Sequence, residues 1–96
     1  MASTTGKPKG DKKTHMERDT LWAENYEKEK DLVTLDQAGL KNVVFITNSN
    51  NTSFVVKGKV KSVVIDNCNK CKVQVEDILS NVEIINAKSI TLYCTG

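Results

Sequence analysis

From Leu40 to its last residue the chain divides without gaps into three segments of 19 residues, Leu40 to Gly58, Lys59 to Asp77 and Ile78 to Gly96. Set in register, the fifth place reads Val44, Val63, Val82, the seventh Ile46, Ile65, Ile84, and the ninth Asn48, Asn67, Asn86. A small residue follows each asparagine (Ser49, Cys68, Ala87), and then a second alternating run: Thr52, Phe54, Val56; Cys71, Val73, Val75; Ile90, Leu92, Cys94. Alternation at period two with β-branched residues marks strands with one buried face, and no 3.6-residue periodicity competes with it. Equal repeats of strand, corner, strand, corner stack as coils. The reading is therefore all-β, a right-handed parallel β-helix, the hand following from the near-universal hand of parallel crossovers. Asn48, Asn67 and Asn86 are read as a structural corner ladder, because asparagine tolerates left-handed backbone and can bond to the asparagine of the next coil.

Leu21 to Gly39 fills one more frame but matches only in its second half, where Val33 and Leu35 take inward places. It is expected to be an irregular capping coil, with Trp22 and Tyr26 covering the open end. Residues 1–20 hold almost no large apolar side chain and carry the whole net charge of +2; they are expected to form a disordered basic tail, leaving 21–96 as the folded domain. At Gly96 the last coil ends with no cap, which predicts an edge to be covered by further chain, a second copy or another protein.

Most catalytic classes find no support. No histidine lies in the expected folded region to serve a nucleophile, and neither Gly6-Lys7-Pro8-Lys9-Gly10 nor Gly58-Lys59-Val60 completes a phosphate-binding loop. Cys68-Asn69-Lys70-Cys71 has C-x-x-C spacing, but the other ligands on offer are only the distant Cys94 and His15, too few for a structural zinc site. In the repeat register Cys71 and Cys94 fall inward and Cys68 at the corner, so buried, inert thiols are expected, with no metal and no cofactor. An odd count of three cysteines, no apolar stretch of signal-peptide length and no membrane span place the chain in the cytosol, where the sequons at Asn50 and Asn51 carry no glycan.

What remains is surface. Stacking sets Lys57 beside Glu76, crowds Lys57, Lys59 and Lys61 at one corner and puts Lys70 and Lys72 on the next. A rigid lysine ridge is a docking strip for an acidic protein. The outward column Phe45, Val64 and neighbouring Ile85 adds apolar area, so the chain reads as an interaction platform, with no nucleic-acid partner.

Trp22-Ala23-Glu24-Asn25-Tyr26-Glu27, Asp31-Leu32-Val33, Val56-Lys57-Gly58-Lys59-Val60-Lys61-Ser62-Val63, Asp66-Asn67-Cys68 and Val82-Glu83-Ile84-Ile85-Asn86 resemble the C-terminal β-helical domain of adenylyl cyclase-associated proteins, in the cofactor C-like superfamily. The resemblance implies a non-enzymatic module that binds monomeric actin, promotes exchange of ADP for ATP, and recycles cofilin-bound ADP-actin in the cytoplasmic actin cytoskeleton. It places actin contacts on Lys57, Lys59, Lys61, Asp66, Lys70 and Glu76. It also implies a homodimer through strands C-terminal to the residues present here; those coils, and the family's adenylyl-cyclase-binding helices, have no counterpart in this sequence, which reads as truncated at its C-terminal end. Two alternatives stand beside it. One is a tubulin cofactor C-like activator of GTPases, disfavoured because the sole arginine, Arg18, falls in the expected tail; the other is an inactive fragment of a longer actin-binding protein.

Overall fold

The computed structural model describes residues 10–94, as nine strands without a helix. They are β1 (Lys13–Glu17), β2 (Thr20–Glu24), β3 (Val33–Leu35), β4 (Val43–Asn50), β5 (Ser53–Val60), β6 (Ser62–Asn69), β7 (Lys72–Ile78), β8 (Val82–Ile85) and β9 (Thr91–Cys94). Two sheets form, in the orders β1-β2-β4-β6-β8 and β3-β5-β7-β9, and every pairing from coil to coil is parallel. The chain is thus a right-handed parallel β-helix, each coil giving one strand to each sheet.

The repeat register is the hydrogen-bonded register. Val44 pairs with Val63 and Val63 with Val82; Ile46, Ile65 and Ile84 follow in the same way. Phe54 lies on Val73 and Val73 on Leu92. Between the sheets these side chains make a continuous core in which Leu21, Ala23, Val44, Ile46, Val63, Ile65, Val73 and Val75 are wholly buried. Each fully buried aliphatic side chain of this kind contributes on the order of 1.5–3 kcal/mol. In the last coil the same columns emerge: Ile84 is 48% exposed, Leu92 is exposed, and Cys94, expected inward and buried, is exposed although it pairs with Val75. Its column place was right; among the described residues no strand lies beyond β9 to cover it.

The corners are built from left-handed backbone. Asn48, Asn67 and Asn86 have φ of 54°, 50° and 49°, and a second column, Asn51, Lys70 and Ser89, has φ of 49°, 53° and 53°. Asn67 Nδ2 donates to Asn48 Oδ1 at 2.6 Å, the expected rung. The rung below departs from expectation, since Asn86 Nδ2 donates to Asp66 Oδ1 at 3.3 Å.

The first coil is more regular than its sequence suggested. Leu21 pairs with Val44 and Ala23 with Ile46, an offset of 23 residues, while Val33 pairs with Phe54 at an offset of 21. Two extra residues sit at each of its corners, which hides it from a 19-residue frame. At the offset of 23, Asn25 and Lys28, with φ of 65° and 51°, fall on the two left-handed columns.

Residues 10–20 are not a tail. β1 pairs antiparallel with β2, from Lys13 opposite Glu24 to Glu17 opposite Thr20, and so covers the edge of the first coil. A two-residue turn, Arg18-Asp19, joins them with φ of 49° and 62°, the left-handed pair that matches the twist of a tight hairpin. Lys12 Nζ reaches Glu29 Oε1 at 2.7 Å, and Asn25 Nδ2 donates to the Asp11 carbonyl at 3.0 Å. Residues 1–9 of the expected tail, and Gly96 with the open end expected there, lie outside the described residues.

Trp22 does not cover the open end. Alternation between inward Leu21 and Ala23 turns it to the outer face, where its ring lies 4.6 Å from Phe45 and His15 stacks on it at 6.5 Å. The expected outward row of Phe45 and Val64 therefore begins with His15 and Trp22 and passes on to Glu83. Tyr26 packs against the core, edge-on to Phe54 at 5.5 Å, with its hydroxyl bonded to Thr14 Oγ1.

Candidate functional site: a lysine-bearing bulge

β5 and β7 stay in register through Val56 and Val75, and then slip: Lys59 pairs with Asp77 and Val60 with Ile78. Lys57 and Gly58 stand opposite Glu76 alone, which makes a β-bulge. Val56 and Val60 both point inward, so Lys57, Gly58 and Lys59 are all thrown outward between them. Gly58 carries the strain at φ 85°, a conformation a Cβ disfavours even though open space surrounds the position.

Stacking was expected to pair Lys57 with Glu76. Instead Glu76 Oε1 accepts from the Gly58 backbone N–H at 2.5 Å. The bulge opens an amide that the ladder no longer uses, and the carboxylate of the next coil takes it. Lys59 Nζ lies 3.6 Å from Asp77 Oδ2. Both partners are about half exposed, so this pair orients Lys59 more than it stabilises the fold. Lys61 follows at the corner, where its N–H donates to the Asn42 carbonyl and its own carbonyl accepts from Ser80 N–H.

Four of the six candidate residues, Lys57, Lys59, Lys61 and Glu76, thus gather on the bulge and its adjoining corner. The other two do not join them. Lys70 belongs to the opposite corner, separated from Lys61 by the whole of β6, roughly 20 Å. Asp66 faces outward on β6 between Thr47 and Ile85, accepting from Asn86. The bulge itself was missed from sequence, although one signal was present: a glycine within a run of strand-forming residues commonly marks one.

A second feature lies at the N-terminal coil, an open polar groove of ≈ 500 Å³ lined by Gly10, Asp11, Lys13, Glu24, Asn25 and Asn48. Beside it His15, expected in a tail, is part of β1. Its Nδ1 is buried and 3.8 Å from Glu24 Oε2, and its Nε2 is 3.6 Å from Glu17 Oε2. Arg18, also expected in the tail, forms the hairpin turn. Among the described residues no cluster of three or more histidine, cysteine, aspartate or glutamate side chains could hold a metal, and no helix is long and apolar enough to cross a membrane.

The family model described as "Adenylate cyclase associated (CAP) C terminal" matches residues 10–96, a span that includes β1. Adenylyl cyclase-associated protein 1 of Mus musculus is 37% identical over 73 residues, which is 76% of this chain and 15% of that protein. Adenylyl cyclase-associated protein 2 of Homo sapiens is 29% identical over 75 residues, 78% of this chain and 16% of its own length. The crystal structure of cyclase-associated protein from Cryptosporidium parvum superposes with a TM-score of 0.90 at 35% identity, covering 93% of this chain and 54% of that one. A parallel β-helix with this register and this match defines a cyclase-associated C-terminal domain. The chain belongs to the cyclase-associated protein family, and it spans about 15% of the length of the mouse and human relatives.

Proposed function

We propose that this chain is an actin-monomer-binding module that promotes nucleotide exchange on actin and filament turnover without catalysis of its own. The observation that carries the reading is the membership of residues 10–96 in the family's C-terminal domain. A surface suited to contact supports the reading. Lys57, Lys59 and Lys61 project from a bulge that Glu76 fixes through the Gly58 amide, so a cationic strip is presented on a rigid sheet. Pre-ordering of this kind lowers the entropic cost of docking, and positive charge speeds encounter with an acidic partner. The partner is monomeric actin, including cofilin-bound ADP-actin, met in the cytoplasm at the actin cytoskeleton. A second copy of the chain is a further partner, in a homodimer.

For exchange to accelerate, the module must bind actin with an open nucleotide cleft more tightly than actin with a closed one. The test is release of a fluorescent ADP analogue from monomeric actin. Release should quicken in proportion to added protein until it saturates; unchanged release, with no complex on gel filtration, overturns the proposal.

A further inference from the structure

The outer face of the sheet β1-β2-β4-β6-β8 lies across the core from the lysine bulge. Leu21, Ala23, Val44, Ile46, Val63 and Ile65 point into the core, wholly buried, so the residues alternating with them face out. Among these outward positions the charged ones are Glu17, Glu24, Asp66 and Glu83, set against Lys13. A chain of net charge +2 thus carries one acidic face. Through its middle runs a row in pairing register, His15, Trp22, Phe45 and Val64, each half-buried. The Trp22 and Phe45 rings lie 4.6 Å apart, and His15 stacks against the far side of the indole. Carboxylates bracket this row. Glu24 and Asp66 stand along one flank, two strands or roughly 10 Å apart, Glu17 stands on the other, and Glu83 closes the end. Glu24 also lines the open polar groove, together with Asp11, Asn25 and Asn48. Its ion pair with Lys13, at 3.7 Å, involves an exposed lysine, and such a pair is too weak to keep a better-matched cation out.

We propose that this face is a docking surface for an extended, arginine-bearing segment of a partner protein. Charge complementarity selects a cation, and the aromatic row selects which one. A guanidinium lies flat on an indole or phenyl ring while its N–H groups fork to a carboxylate at the rim, whereas an ammonium is a compact, strongly hydrated point charge. The spacing fits an extended chain. Trp22 and Glu24 are two residues apart on β2, roughly 7 Å, which is the distance between same-facing side chains of a strand laid along it. One side chain of the segment then rests on the Trp22 ring as the next enters the groove beside Glu24. This surface and the lysine bulge belong to different sheets, so the two can be occupied together.

Trp22 is the sole tryptophan, so its fluorescence reports on this face. Acetylated nona-arginine amide, added to the full chain at low salt, should change Trp22 emission saturably. Nona-lysine amide of equal charge should bind at least about threefold more weakly. Glu17→Gln with Glu83→Gln alters two exposed side chains, so the variant should melt like the natural protein; its dissociation constant for fluorescein-labelled nona-arginine should rise at least about fivefold by anisotropy. Asp31→Asn with Asp36→Asn removes the same charge from exposed positions off this face and should change that constant less than about twofold. The comparison of the two peptides on the natural protein decides the matter even where a variant fails to fold. Absence of saturable binding, binding that leaves Trp22 emission unchanged, or equal affinity for the two peptides would overturn the proposal. So would equal losses in the two pairs of variants.

Discussion

Among the described residues Gly58 is the one glycine in left-handed backbone, and the bulge hangs on it. Gly58→Ala meets no steric obstacle from neighbours, so its whole effect is conformational: about 1–2 kcal/mol of lost stability, read as a lower urea midpoint at constant slope. Asn67 gives a sharper comparison, because it supplies both left-handed backbone and the donor to Asn48. Asn67→Gly keeps the backbone and loses the bond, costing about 0.5–1.5 kcal/mol, whereas Asn67→Ala loses both and costs more, by about 1 kcal/mol. Equal destabilisation by the two variants in thermal melts would contradict the corner assignment. The asparagine column was legible because one residue type recurs at one spacing. Its neighbour, Lys28, Asn51, Lys70 and Ser89, was not, since three residue types reach the same φ and only the backbone reveals the kinship.

Strands were legible where alternation ran cleanly and illegible where charge management took over. β4 to β9 alternate and repeat, so their register could be written down in advance. β1 has almost no apolar alternation: it is an edge strand with a charged residue at each end, Lys13 and Glu17, as edge strands commonly are. Its turn, Arg18-Asp19, uses left-handed φ without the glycine or asparagine that normally announces a hairpin. β2 was hidden by corner insertions that moved its offset from 19 to 23. Two tests follow at this scale. Removing residues 1–18 uncovers the edge of β2 and should lower the melting temperature and promote aggregation; an unchanged melt and a monodisperse product would show that β1 adds nothing. Along one core column, Ile65→Val should cost about 1 kcal/mol, while Ile84→Val, at a position 48% exposed, should cost little. Equal costs in denaturant melts would argue against the burial gradient from coil to coil.

The whole molecule is a rigid stack whose sheets hold surface groups at fixed spacing, and its function is read from which groups those are. Sequence alone located the lysines at two successive corners but grouped them in one set of candidate contacts. The structure separates them, because β6 stands between Lys61 and Lys70, and it replaces a lysine–glutamate pair with a carboxylate that grips the bulge backbone. That difference could not be read from a straight repeat, since a bulge breaks the register by one residue and restores it within the same coil. The most direct test of an actin-binding bulge is the affinity of the full chain for monomeric ADP-actin, measured by sedimentation velocity for the natural sequence and for Lys57→Glu with Lys59→Glu. Neither lysine supports the core, so the variant should melt like the natural protein while its dissociation constant rises at least about tenfold, roughly 1.4 kcal/mol. Undiminished affinity in a normally folded variant would remove the bulge from the interface, and no binding by the natural sequence would remove actin from its function.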